Sequence, residues 1–537
     1  MVVLNRENLK NKAIWEAKEI DTYRFADQSM LEKTINHPQW IHFGPGNIFR
    51  AFIASLQQNL LDMGKVDTGI IAVAPYDGVV IEKVYLPHDC LSLLVTMSAD
   101  GNMHKKVIGS IAEGLVCNKD WQRQQDIFIN PSLQIASFTI TEKGYKLHDL
   151  FGKYTKEIAN DMMEGPAEPK SFQGRIAALA YRRYQAGYYP IAYVSMDNCS
   201  HNGDKIKEVL VAFAVEWEKN GLVEAGFIEY LQDENVVAFP CSMIDKITPR
   251  PSPKVEQHLN EIGFDTGDPV CTNRGSYHSV FVNAEQTQYL VIEDKFPNGR
   301  PPLEEVGVIF TDRATVDQVE RMKVCTCLNP LHTSLAVFGC LLGYTSIADE
   351  MSNPLLRELA EKVGYREGLP VVIDPGVIKP EKFIKEVLEV RFPNPNIPDT
   401  PQRIASDTSQ KIGIRFGETI RAYMNSPQRT VDDLVYIPLT IAGWLRYLLG
   451  IDDKGNVFEL SPDLLLKELR ESLAGIQLGR VNSADGKLSG ILATKAIFGI
   501  SLIEAGLGDR IEGYFKEMIS GNKAVENTLK KYVKLGR

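Results

Sequence analysis

The sequence predicts an α/β amino-terminal part, a parallel sheet with helices on both faces, followed by a mainly α-helical domain. Three observations predict it. Short apolar runs alternate with helical segments from Trp40 onward, the pattern of a buried parallel sheet. After about residue 315, apolar residues recur at helical spacing instead. The chain has 537 residues, 44% hydrophobic and 24% charged, an ordinary globular composition and too much chain for one core.

Taken in order, residues 1–37 read as a helical lead-in. Trp40–Phe43 is a short apolar strand. Asn47 to Met63 is an amphipathic helix with Ile48, Phe52, Leu56 and Leu60 on its apolar side. Gly69 to Ala74, Ile135 to Ile140 and Ile191 to Val194 are further buried strands, the last behind a helix from Gly174 to Ala186. Helical spacing then fills 333–349, 355–363, 380–390, 411–424, 432–449, 461–475 and 510–533. The expected domains are 1–37, 38–315 and 316–537, with a substrate cleft between the last two.

The net charge of −10 argues against a general affinity for nucleic acid or an anionic membrane. It leaves room for an anionic small substrate, which needs only a few local cations. No run of about 18 apolar residues appears, so no membrane span is expected. Met1 to Lys18 has mixed charge and no apolar signal core. The eight cysteines are scattered and read as free thiols of a reducing cytoplasm. The nine histidines show no metal-ligand spacing, so metal-independent chemistry is expected.

Gly44-Pro-Gly46-Asn47-Ile48-Phe49 follows the first strand and opens the first long helix. A dinucleotide fold needs glycines there for a tight turn and close approach to the pyrophosphate, with helix N–H donors behind them. Taken alone the pair could be a structural turn; its position points to a Rossmann-type domain. Asp77 is the nearest carboxylate after the second strand. It could hold ribose hydroxyls or serve only as a turn residue in Tyr76-Asp77-Gly78. No arginine directly follows that strand, which favours NAD over NADP.

Glu320-Arg-Met-Lys323-Val-Cys-Thr-Cys-Leu-Asn329-Pro-Leu-His332 carries the groups that alcohol oxidation needs. A lysine can serve as base where burial or a neighbouring cation brings its pKa toward neutrality. Neutral asparagine amides suit an alkoxide-like oxygen. From the residues alone the plainer reading prevails: an exposed lysine, an asparagine cap and a histidine on a helix.

Several further motifs stand in order along the chain: Thr139-Ile-Thr141-Glu142-Lys-Gly-Tyr145, Ser195-Met-Asp197-Asn198, Asn202-Gly203, Pro240 to Pro249, and Val291 to Pro301. With the two above, they resemble the polyol-specific long-chain dehydrogenases, the family of mannitol dehydrogenase and the fructuronate and tagaturonate reductases. The resemblance covers nearly the whole chain. It implies an NAD-dependent secondary-alcohol dehydrogenase in which Lys323 is general base in oxidation and acid in reduction. Asn198 and Asn329 would stabilise the oxyanion, and His332 would orient substrate hydroxyls. Arg403 and Lys411 would hold the far end of the substrate, and Asp245 would lie beside substrate and nicotinamide. Glu320, with Glu142 as a second candidate, would pass the proton to solvent. Gly44, Gly46, Asn47, Ile48, Phe49, Arg50, Asp77, Thr141 and Asn198 would line the cofactor. Asp245 and Glu142 could equally be structural.

Two departures from the family pattern stand out. Five residues, not four, separate Lys323 from Asn329. The extra residue could form a π-bulge, or Pro330 could start a new helix capped by Asn329. Lys246 replaces the arginine of the signature, keeping charge but losing bidentate bonding. The resemblance favours D-mannonate/D-fructuronate as the substrate pair, ahead of D-altronate/D-tagaturonate and of mannitol/fructose. Arg250 could add a cation, though a surface role is the simpler reading. The rival functions are an epimerase that keeps NAD bound and a non-catalytic sugar or nucleotide sensor.

Overall fold

Six strands form the centre of the first unit: Trp40–Phe43 (β1), Ile70–Ala74 (β2), Ile111–Val116 (β3), Ile135–Phe138 (β4), Ile191–Ser195 (β5) and Val237–Ala238 (β6). In this computed structural model they pair in parallel in the order 3-2-1-4-5-6, the doubly wound dinucleotide-binding order. The structure describes residues 1–149 and 151–535. The chain splits into two compact units, Met1–Ser98 with Asn102–Asp317, and Ala99–Gly101 with the residues from Gln318 onward.

Alternation along the strands divides the first unit's core into two layers. Ile41, Phe43, Ile71, Val73, Ala136 and Phe138 face helices Phe172–Gly187 and Asn202–Lys219. Trp40, Ile70, Ala72, Ile135 and Val194 face the helical stretch that runs through Phe49–Ile53 and Ala54–Asp62. Both faces are covered, which is why these runs are mainly apolar, with His42 and Ser137 as buried polar exceptions bonded to each other.

Residues 1–37 are not a separate lead-in. They hold short helices, but Ile20–Asp21 pairs with Lys105–Lys106 at the edge of a second sheet. That sheet also contains Ser92–Met97, Met103–Ile108 and Phe281–Glu285. Leu4 and Trp15 join its core against Phe264.

The second unit is helical among the described residues. Its centre is Asn329–Leu342 and Tyr436–Tyr447, both almost entirely buried. The buried Glu367 carboxylate accepts the backbone N–H groups of Tyr436 and Ile437 at 2.7 Å, satisfying donors that a buried helix start would otherwise leave open. By length and composition Arg313–Leu342 could cross a membrane, but 78% of its apolar window is buried inside the protein, as in the core helix of a globular domain. Gly339 lies on this helix where a Cβ would collide with the carboxylate of Glu350.

Candidate active site

In the first unit, the turn after β1 sits at the carboxyl ends of the strands, where the strand order reverses and ligands of this fold class bind. Gly44 has φ +107°, and a Cβ there would collide with the carbonyl oxygen of Thr139 at the end of β4. Gly46 has open space where a Cβ would point. The helical stretch beginning at Asn47 has first-turn amides without acceptors inside the helix. A pyrophosphate could receive them, with room beside Gly46. Beneath the turn, His42 stacks on Phe49 at 4.1 Å. Its ring nitrogens meet Ser137 Oγ at 2.7 Å and Thr139 Oγ1 at 2.8 Å. Burial pushes its pKa down to about 3, so it is a neutral support.

Two expected cofactor residues need correction. The Phe49 side chain is fully buried against His42, so only its backbone could meet a ligand. Arg50 is fully buried too. Its guanidinium donates to Ser279 O at 2.6 Å and to Asn47 Oδ1 at 2.9 Å. It therefore fixes Asn47, which donates to Tyr277 O at 3.3 Å. Ile48 is half-buried. Asp77 lies half-buried beyond β2 and accepts Val79 N–H at 3.3 Å; this is the turn role, and it leaves carboxylate lone pairs for a ribose.

Thr141 has φ +64° and ψ 160°, a conformation that residues with a Cβ seldom adopt. Asp197 holds it there. Its carboxylate accepts Ile140 N–H at 3.0 Å, Thr141 N–H at 2.8 Å and the Tyr145 hydroxyl at 2.6 Å. Burial nonetheless leaves its pKa above the ordinary carboxylate value, the three donors opposing. Sequence reasoning quoted Asp197 within a motif and gave it no role. Asn198, next in the chain, is exposed, whereas Asp245 is buried at the end of Ser242–Asp245, a strand paired antiparallel with Tyr289–Glu293. Asn202 ties these segments together, donating to Asp197 O and Ser242 O at 2.9 Å. A Cβ on Gly203 would collide with Phe239 O, so the Asn-Gly pair is a packing device. Glu142 forms an ion pair with Lys205 at 3.1 Å, the structural alternative. Lys246 Nζ donates to Glu285 O at 2.9 Å and Gln288 Oε1 at 3.0 Å. Arg250 is exposed over the Tyr277 ring.

In the second unit, Lys323 begins a π-helical turn, Lys323–Cys327, and is 4% exposed; it is not a surface lysine. Leu328 N–H closes the wide turn on Lys323 O at 3.0 Å. The carbonyl of Cys325 accepts the Thr419 hydroxyl at 3.2 Å. Leu328 then leaves helical geometry at φ −126° and ψ −64°, and Asn329–Leu342 begins with Pro330 in its first turn. The extra residue is thus absorbed by a π-turn and by a helix restart together, with Leu328 rather than Asn329 at the cap. A π-turn takes up one added residue with little change in the phase of the flanking helix. Glu320 lies half-buried one turn before Lys323.

Asn329, His332 and Thr333 share one helix face by their spacing. Thr333 Oγ1 donates to Asn329 O at 2.8 Å. His332 Nε2 lies 2.8 Å from Asp399 Oδ2, and Arg403 Nε donates to Asp399 Oδ1 at 3.1 Å. Burial lowers the His332 pKa, with Asp399 opposing. Burial raises that of Asp399, but His332 and Arg403 outweigh it and hold the carboxyl below its ordinary value. Lys411 Nζ donates to Ser406 O at 2.8 Å, and burial followed by the neighbouring Arg415 lowers its pKa. Nothing in the sequence spacing pairs Asp399 with His332; only the tertiary fold does.

Comparison with known proteins agrees with this organisation. Residues 38–305 match the mannitol dehydrogenase Rossmann domain, and 315–518 the mannitol dehydrogenase C-terminal domain. The chain is 51% identical over 535 residues to the D-mannonate oxidoreductase of Thermotoga maritima, covering 99% of each. It is 31% identical to the D-mannonate oxidoreductase of Escherichia coli, over 87% of this chain and 90% of that one. Among solved structures, the Pseudomonas fluorescens mannitol 2-dehydrogenase ternary complex with NAD and D-mannitol is 27% identical with a TM-score of 0.70, covering 99% of this chain and 100% of that one. The chain therefore belongs to the mannitol dehydrogenase family of oxidoreductases.

Proposed function

We propose that the chain is an NAD-dependent oxidoreductase interconverting D-mannonate and D-fructuronate. The observation that carries this reading is its 51% identity, over 99% of both chains, to a D-mannonate oxidoreductase. NAD supplies the acceptor and donor of hydride when bound; the Pseudomonas relative was solved with it. Gly44, Gly46 and the first-turn amides of Asn47, Ile48 and Phe49 would hold its pyrophosphate, Asp77 its ribose, and Thr141 would flank it.

The remaining chemistry belongs to the side chains. Lys323 takes the proton from the substrate hydroxyl in oxidation and returns it in reduction. Asn329 donates to the alkoxide-like oxygen, and Asn198 is the first unit's candidate amide donor. Asp399 engages one ring nitrogen of His332, so the other is offered to a substrate hydroxyl. Arg403 and Lys411 hold the far end of the substrate, Glu320 hands the proton to solvent, and Asp245, in the first unit, borders the nicotinamide.

The test is NADH oxidation, followed at the nicotinamide band, with fructuronate, tagaturonate and fructose in separate mixtures. Fructuronate is expected to react fastest. Preference for fructose would refute the acid reading, and no reaction despite NADH binding would favour an epimerase or a sensor.

The two glycines should separate fold from affinity. Gly46→Ala is expected to leave the melting temperature unchanged, because its Cβ enters open space, and to weaken NADH binding about tenfold or more, ~1.4 kcal/mol. Gly44→Ala is expected to cost stability, roughly 1–3 kcal/mol, because of its φ and the Thr139 carbonyl. Unchanged NADH affinity in Gly46→Ala would remove this turn from the cofactor site.

A further inference from the structure

Arg415 is a charged group that the roles above leave unused. It lies on the π-helical turn Gly413–Gly417 of the second unit. Two glycines press that turn against neighbouring backbone: a Cβ on Gly413 would lie 2.7 Å from Ile497 O, and one on Gly417 would collide with Phe498 O. The turn is therefore held in place by main chain. Arg415 Nη1 donates to Thr333 Oγ1 at 2.6 Å, and that same hydroxyl donates to Asn329 O at 2.8 Å. The guanidinium thus abuts the helix face that carries Asn329 and His332.

No carboxylate pairs with Arg415 among the described residues. The carboxylates around His332 and Lys411 are otherwise engaged: Asp399 with His332 and Arg403, and Asp463 with Ser409 N–H at 2.8 Å. Arg415 is half-buried, and burial pulls its pKa down to about 10. Both His332 and Lys411 feel its charge together with that of Arg403. A guanidinium taken out of water without an anion is costly, and such sites are completed by a carboxylate or phosphate bound through parallel N–H donors.

We propose that Arg415 binds the carboxylate of an open-chain sugar acid, and so separates acids from uncharged polyols at this site. The inference rests on the sugar-acid reading above. The spacing suits it. Thr333 stands one turn along from Asn329, about 6 Å at about 1.5 Å per residue. In fructuronate, four carbon–carbon bonds separate the keto carbon from the carboxyl carbon, roughly 5 Å when extended.

Calorimetry on the NADH-loaded protein tests it with two probes, D-gluconate and uncharged D-sorbitol. Arg415→Met is expected to weaken gluconate binding by at least ~10-fold, leave sorbitol and NADH binding within about twofold, and keep the fold. Arg415→Lys, which keeps charge but not the planar fork, should recover part of the loss. Equal gluconate binding by wild type and Arg415→Met, equal loss of both probes, or no gluconate binding by the wild type each overturns the proposal. If Arg415→Met fails to fold, Arg415→Lys decides: unchanged gluconate affinity overturns the bidentate contact. Turnover of fructuronate by the wild type judges the broader reading separately.

Discussion

Replacing Lys323 with methionine is expected to lower turnover in either direction by at least ~10²-fold, the usual worth of a positioned acid–base group, while NADH affinity stays within about twofold. The substitution is gentle on structure. The π-turn closes through backbone, Leu328 N–H on Lys323 O, and methionine fills nearly the same volume at a position only 4% exposed. Lys323→Arg sharpens the test. Arginine keeps the positive charge but does not release a proton near neutral pH. Both variants should therefore fail alike if proton transfer is the role. Recovery of turnover by arginine would assign Lys323 to charge stabilisation instead, and unchanged turnover in Lys323→Met would remove it from the reaction. Circular dichroism and NADH binding on the same samples separate these outcomes from simple unfolding.

The sequence showed clearly what local periodicity and turn chemistry encode. The strand beginning at Trp40, the glycine turn, the strand ending at Ala74 and the helical second half all carry signals a few residues long. Asp100-Gly101 lies between the strands Ser92–Met97 and Met103–Ile108, an Asp-Gly turn whose second flank carries His104, Lys105 and Lys106 and so does not read as an apolar run. The rest was not local. Ile20–Asp21 joins a sheet through Lys105–Lys106, and no pattern in two residues predicts a partner 85 positions away (105 − 20). The same holds at the candidate site. Lys323, Asn329 and His332 were visible as a motif, but Asp399, which sets the charge state around His332, comes from a loop, and Asp197 reaches Thr141 across two strand ends. Arg50 shows the converse. The resemblance set it among the residues lining the cofactor, and burial makes it a brace for Asn47.

Glu350 should make the stability of the second unit fall as pH rises, and removing its carboxyl should abolish that fall. The residue sits on Ile347–Met351 with no exposed surface, and neither carboxylate oxygen has a hydrogen-bond partner among the described residues. Gly339 crowds it from the facing helix. Burial first, and the Asp399 charge second, push its pKa from 4.5 up to about 9. A carboxyl whose pKa is raised by folding favours the folded state most below its unfolded pKa. That contribution is lost as pH climbs from about 4.5 toward 9, because the unfolded chain ionises freely while the folded one cannot. At about 1.4 kcal/mol per pH unit, the loss by pH 8 is about 5 kcal/mol, or roughly 10–20 °C for a unit of this size. Glu350→Gln keeps the shape without the titration, and Glu350→Met also removes both unpaired oxygens. Melting temperatures measured from pH 5 to pH 9 should decline for the wild type and stay nearly level for both variants. Parallel curves for all three proteins would show that Glu350 finds water or a partner when it ionises. The consequence reaches the candidate site, because a second negative charge beside Asp399 would compete for the Arg403 guanidinium that Asp399 engages. If the wild type also loses sugar-acid affinity above pH 8 and Glu350→Gln does not, the buried carboxyl must be neutral for the cluster around Asp399 to keep its charge balance.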